Sequence, residues 1–212
     1  MVAERLGQEF PGSAAALCAL DHATPFQLLA ATILSAQCTE VRVNLVTPAL
    51  FAAFPDSAVL AGAEPARVEE LIRSTGFFRA KTRSLIGMAT AIEDRFGGQV
   101  PTGLADLVTV PGVGRKTANV LRSVAFDLPG LPVDTHVLRL SRRLGLTETL
   151  TPAAQADAVR VEQLLNTMVP PAERGVFSLR MILHGRATCL ARTPRCGQCL
   201  LADFCPSARK AA

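Results

Sequence analysis

Three features of the sequence predict an all-α fold. Apolar residues recur at helical spacing, Thr-Pro pairs mark helix starts, and Val and Ile fall inside helical stripes instead of alternating runs bounded by turns. With 212 residues and 49% apolar content, the chain can bury a sizeable core. The expected layout is two helical lobes with a cleft between them. Residues 21–130 form one, and residues 1–20 with 131–212 form the other.

The elements follow in order. Thr24-Pro25-Phe26-Gln27 has the form of a capping box with Pro at the first helical position, and Phe26, Leu29, Ala30, Ile33 and Leu34 then continue one helical stripe. A buried helix is predicted there. Further starts stand at Thr39, Pro65 and Thr151-Pro152, while Gly76 and Gly145 are placed to end helices. A short apolar helix from Leu104 to Val110 and a longer one through Phe126 flank a glycine-rich corner, and another helix runs from Thr135 to Leu144. No repeat or low-complexity linker divides the chain. The apolar run from Ala14 to Leu20 is too short to span a membrane, and no export signal is visible, so a soluble cytoplasmic protein is expected.

Cys189, Cys196, Cys199 and Cys205 follow the pattern C-x6-C-x2-C-x5-C. Four thiolates in one short loop can surround a metal centre. A closed zinc site usually comes as two C-x2-C knuckles across a longer insert; here one C-x2-C has wide, unequal flanks, which favours a [4Fe-4S] cluster over zinc or a disulfide pair. The remaining Cys18 and Cys38 read as small buried apolar residues.

Val110-Pro-Gly-Val-Gly-Arg-Lys-Thr-Ala118 joins two helices and reads as a helix-hairpin-helix, with a plain αα corner as the alternative. Gly112 and Gly114 permit backbone angles other residues resist and let the hairpin amides approach an anion; those amides and the following helix start suit a phosphate.

The formal charge is +4, and four ligating thiolates around a cluster core would lower it to roughly +2. Location says more than the mean. Basic residues concentrate at Arg115, Lys116 and Arg122, at Arg139, Arg142 and Arg143, and from Arg186 through Arg192 and Arg195. Such groups form a phosphate footprint or, more plainly, solvated helix faces.

Taken together, Leu34-Ser-Ala-Gln-Cys-Thr39, Thr75-Gly-Phe-Phe78, Pro111 to Ala118, Val133-Asp-Thr-His136, Ile182-Leu-His-Gly-Arg186 and the four-cysteine loop resemble the endonuclease III family of DNA repair glycosylases. The resemblance covers nearly the whole length. It implies a monomeric enzyme of base excision repair, nucleoid-associated when bound, that flips oxidised or damaged pyrimidines out of double-stranded DNA, removes them and cleaves the abasic site by β-elimination. The expected cleft would then hold DNA, and the cluster would be structural.

The same resemblance assigns residues. Lys116 is the expected nucleophile: an amine can displace a base at C1′ and stay attached as a Schiff base, which a hydroxyl cannot do. The plain alternative is a phosphate-binding lysine. Asp134 is the expected catalytic aspartate, stabilising cationic sugar character, although Asp at a helix start can simply cap it. His136, two residues along the helix, points away from Asp134 and is expected to pack or touch phosphate; His22 and His184 offer no pairing. Gln37 is expected to fill the space left by the flipped nucleotide and Phe77 to wedge against the opposite strand. Their alternatives are a helix cap and a core residue. Gly112, Gly114, Arg115, Arg186, Arg192 and Arg195 complete the expected DNA contacts.

Departures from the family pattern concern substrate choice. Glu40 stands where Asp is common, Cys38 replaces a small residue, Phe78 replaces a frequent Tyr, and Phe177-Ser-Leu-Arg180 lacks the histidines often found before His184. Two other functions compete. A mismatch adenine glycosylase normally lacks this lysine, carries a catalytic Glu at the position of Ile33 and adds a recognition domain. A non-catalytic or weakly active metal-stabilised helix-hairpin-helix protein would bind DNA without chemistry.

Overall fold

The computed structural model describes residues 1–208, and its regular elements are helices throughout. They are α1 (Val2–Glu9), α2 (Pro25–Leu34), α3 (Glu40–Ala53), α4 (Ser57–Ala61), α5 (Pro65–Ile72), α6 (Phe78–Phe96), α7 (Leu104–Leu107), α8 (Arg115–Val124), α9 (Thr135–Arg143), α10 (Pro152–Ala156), α11 (Ala158–Met168) and α12 (Arg174–Ala187). Three short 3₁₀ turns lie at Arg73–Thr75, Pro171–Glu173 and Cys196–Gln198. The all-α expectation holds.

Two compact units divide the chain. One is continuous, Cys18–Phe126; the other joins Met1–Leu17 to the chain from Asp127 onward.

In the continuous unit, α2 is the central element. The Thr24 hydroxyl accepts from Gln27 N at 3.2 Å, and Gln27 Oε1 accepts from Ala23 N at 2.8 Å, so the start is capped from both directions. The helix then buries Phe26, Leu28, Leu29, Ala30, Ala31, Ile33 and Leu34, more than one stripe, because α3, α6 and α8 pack around it. Each fully buried leucine contributes about 2 kcal/mol. The next helices start at caps: Thr39 accepts from Arg42 N and Asp56 from Val59 N.

The short helix expected to reach Val110 ends at Leu107, and the last residues before Pro111 turn instead, with Val110 N donating to Leu107 O. Proline disfavours helical backbone in the residue before it, which explains the early stop.

The second unit packs α1, α9, α11 and α12 around Leu6, Val137, Leu140, Val161, Leu165, Phe177 and Met181. Leu201, Leu200, Phe204 and the cysteines Cys189 and Cys199 join this core, so the cysteine loop borrows packing from the helices. Gly145, at φ 75, closes α9, with Leu146 N donating to Ser141 O. Arg5 ties α1 to the last loop: its guanidinium bonds both Asp203 carboxylate oxygens and Leu200 O, and lies 4.9 Å over the Phe204 ring.

Candidate active site

The hairpin turns between α7 and α8 on two buried anchors, Val110 and Val113, with Val113 N donating to Val110 O at 3.0 Å. Gly112 has φ 79, and a Cβ there would meet Ser84 Cβ at 2.9 Å and Ile33 Cδ1 at 3.3 Å. Its hydrogen side chain is required on both counts. Gly114 corrects the sequence reading. As the N-cap of α8 it has φ −88 and ψ 172, ordinary extended backbone, with open space where a Cβ would point. Its remaining asset is a bare approach to the helix start. No side chain caps α8, so its first amides are the kind of donors an anion can use.

Lys116 occupies the second position of α8 and is exposed, while Arg115 is half-buried. The rest of the helix buries Ala118, Leu121 and Val124, which aims its first turn outward.

Gln37 and Phe77 share an uncommon property. Gln37 has φ 54 and Phe77 φ 48, and only Asp127 joins them as non-glycine residues with positive φ among the described residues. Such backbone is strained and concentrates at functional positions. Both are exposed, Phe77 at 67%, so Phe77 is no core residue. The Gln37 side chain bonds nothing among the described residues and caps no helix. The two line one open hollow with Ile33, Lys81, Ser84 and Gly112. Phe78 differs from its neighbour: it is half-buried, and the guanidinium groups of Arg73 and Arg79 lie over its ring at 5.8 and 5.3 Å.

Asp134 is the N-cap of α9. Its Oδ1 accepts from His136 N at 2.8 Å and Val137 N at 2.9 Å. The cap therefore orients the carboxylate, and Oδ2 takes no hydrogen bond from the described residues. His136 packs instead: its Nδ1 lies 3.1 Å from Arg139 Nη2, which donates to Gly185 O and Cys189 O. A Cβ on Gly185 would come within 2.9 Å of that imidazole, so α12 approaches α9 closely there.

The four cysteines line one cavity. Among the described residues, no three His, Cys, Asp or Glu side chains stand together as ligands of a single ion. Four thiolates around one cavity can each take a separate corner of a [4Fe-4S] cube. Burial pushes the Cys199 thiol up, and the neighbouring cysteines add to the rise; a bound cationic core reverses that balance. The donor set therefore fits the cluster. Arg143 Nη1 donates to Cys189 Sγ at 3.2 Å, and Cys205 Sγ donates to Arg143 O.

One group escaped sequence reasoning altogether. His184 is 1% exposed and not unpaired: its Nδ1 meets Glu9 Oε2 at 2.7 Å and its Nε2 lies 3.4 Å from Cys199 Sγ. No spacing signal links Glu9 to α12. Arg186, Arg192 and Arg195 are exposed around this loop. Cys18 and Cys38 are half-buried and free, not core residues: Cys18 lies in the irregular segment between α1 and α2, and Cys38 in the bend between α2 and α3.

Comparison with known proteins agrees with this geometry. Residues 30–171 match the HhH-GPD superfamily of base excision DNA repair proteins, and residues 189–205 match the iron-sulfur binding domain of endonuclease III. Endonuclease III of Synechocystis is 51% identical over 94% of this chain and 88% of its own length. The Bacillus subtilis enzyme is 38% identical over 98% and 91%. A solved endonuclease III in a non-covalent DNA complex superposes with TM-score 0.87 at 37% identity, covering 97% of this chain and 92% of that one. A trapped covalent endonuclease III–DNA intermediate gives the same TM-score and identity. The chain belongs to the endonuclease III family.

Proposed function

We propose that this protein removes oxidised or ring-damaged pyrimidines from duplex DNA and then cuts the strand at the abasic site. The observation that carries the reading is the exposed Lys116 in the first turn of a glycine-capped helix, directly after the hairpin, in a chain of this family. The Lys116 amine attacks C1′ as the glycosidic bond breaks, and the base leaves with a proton. Opening of the sugar gives an imine between Nζ and C1′; loss of a C2′ proton then expels the 3′ phosphate, and water releases the lysine.

Asp134, fixed by its own cap, supplies negative charge to the developing sugar cation. Gln37 enters the space left by the flipped nucleotide and Phe77 wedges the opposite strand. Hairpin amides with Gly112, Gly114 and Arg115 take one stretch of phosphates; Arg186, Arg192 and Arg195 take another. The cluster's four thiolate bonds hold that basic loop in shape when it is bound. The relatives solved with DNA support the nucleic-acid partner.

We read the functional domains as residues 21–130 and residues 1–20 with 131–212, a division supported by the compact units. The protein acts as a monomer, in the cytoplasm and at the nucleoid; no described helix is long and apolar enough to cross a membrane.

The test is borohydride trapping on duplex DNA carrying one oxidised pyrimidine, with wild type and Lys116→Ala. A covalent band that requires Lys116 is expected. No wild-type band, there or on a preformed abasic site, would leave a DNA-binding module.

A further inference from the structure

Lys81 is 5% exposed, although lysine is rarely buried without a partner charge. No carboxylate pairs with it among the described residues. It stands in the first turn of α6, where the helix dipole also disfavours a cation. Burial accordingly pushes its amine below the usual lysine range. A methionine would occupy the same space without these costs, so the ammonium must contribute something that an apolar side chain cannot.

What it contributes is a bracket around one turn. Lys81 Nζ donates to Thr75 O at 2.8 Å, and Lys81 N donates to Phe77 O at 3.1 Å. Between those two carbonyls lie Gly76, at φ 70, and Phe77, at φ 48 and ψ 27. A non-glycine residue keeps such backbone only where its surroundings hold it. Thr75 is itself buried, with its hydroxyl donating to Ile72 O at 2.8 Å, so the near end of the turn is anchored. The far end carries the exposed Phe77 ring.

We infer that Lys81 is a positioning residue for DNA insertion: its ammonium holds the Thr75 carbonyl and thereby keeps the left-handed Phe77 turn in the conformation that presents the ring to the duplex. The inference rests on the wedge role proposed above for Phe77. Lys81 itself touches no reacting atom. It acts on the step in which the stack is opened, not on the chemistry of Lys116.

That separation supplies the test. Strand cleavage is measured on a duplex with one oxidised pyrimidine and on a single-stranded oligonucleotide with a preformed abasic site, which needs no wedge. Lys81→Met lowers duplex turnover about tenfold or more, as a misplaced group of this kind does, and leaves single-strand cleavage within about twofold. Combined with Phe77→Ala, it costs nothing further on the duplex, because both changes remove the same action. Lys81→Gln, polar but one bond too short to reach the Thr75 carbonyl, gives the same substrate ratio and serves if the methionine variant does not fold. An unchanged duplex rate, an equal loss on both substrates, or losses that multiply with Phe77→Ala would overturn the inference. Absence of wild-type cleavage on either substrate would instead sink the enzymatic reading itself.

Discussion

Glu9 holds the imidazole of His184 at 2.7 Å, and that imidazole reaches Cys199 Sγ with its other nitrogen. A carboxylate–imidazole pair behind a thiolate ligand fixes the ligand's direction. Glu9→Ala should therefore release iron to a chelator about tenfold faster, read as decay of the cluster's visible absorption. DNA cleavage should persist until the colour fades. With the four cysteines as the proposed ligands, Cys196→Ala should lose iron, solubility and DNA binding together.

Asp134 caps α9 and, in the reaction proposed above, also supplies charge, two tasks that different substitutions separate. Asn caps a helix about as well as Asp, whereas Ala does not. Asp134→Asn is expected to keep the unfolding midpoint while strand cleavage falls by about a hundredfold. Asp134→Ala should lose the same activity and about 1 kcal/mol of stability. Thermal unfolding beside single-turnover cleavage distinguishes the two.

Gly112 and Gly114 look alike in sequence but should respond differently to alanine. At Gly112 a Cβ meets Ser84 within 2.9 Å in left-handed backbone, so Gly112→Ala should destabilise by about 1–3 kcal/mol. At Gly114 a Cβ meets nothing within 4 Å. Gly114→Ala should cost at most about 1 kcal/mol, for a poorer N-cap, and act mainly by weakening DNA binding, measured by fluorescence anisotropy at fixed salt.

Lys81 gives a pH dependence with a definite sign. Its folded amine titrates below the unfolded value of 10.5, so between the two the unfolded chain binds more protons than the folded one. Stability then rises with pH in that window. Wild type should gain on Lys81→Met as pH is raised toward 10.5 and lose that gain as pH falls through the folded value. Urea midpoints of both proteins across that range read the difference; a flat difference would contradict it.

Local chemistry made much of the fold legible. Thr24 with Gln27, Thr39 and Thr151 each cap the helix their side chains announce, and the four cysteines line one cavity as their spacing requires. Pairings made when the chain returns on itself were not legible. Glu9 meets His184 only because α1 packs on α12, and Lys81 carries no sequence mark of burial: only the docking of α6 covers it. The positive φ of Gln37 and Phe77 was hidden for another reason: neither residue type favours it, so only the surrounding turn imposes it.

The order of the units along the chain has a consequence for synthesis. Cys18–Phe126 is contiguous and can close on itself as soon as it leaves the ribosome. Its companion must wait: α1 emerges first, yet its partners, α12 and the loop bearing Leu200 and Asp203, emerge last. Until then the apolar side of Leu6 is uncovered. Iron delivery would then act on a nascent chain whose other half has already formed, and cells short of iron should accumulate a half-folded species, cut by protease within its first helix and its cysteine loop while the segment between Cys18 and Phe126 survives.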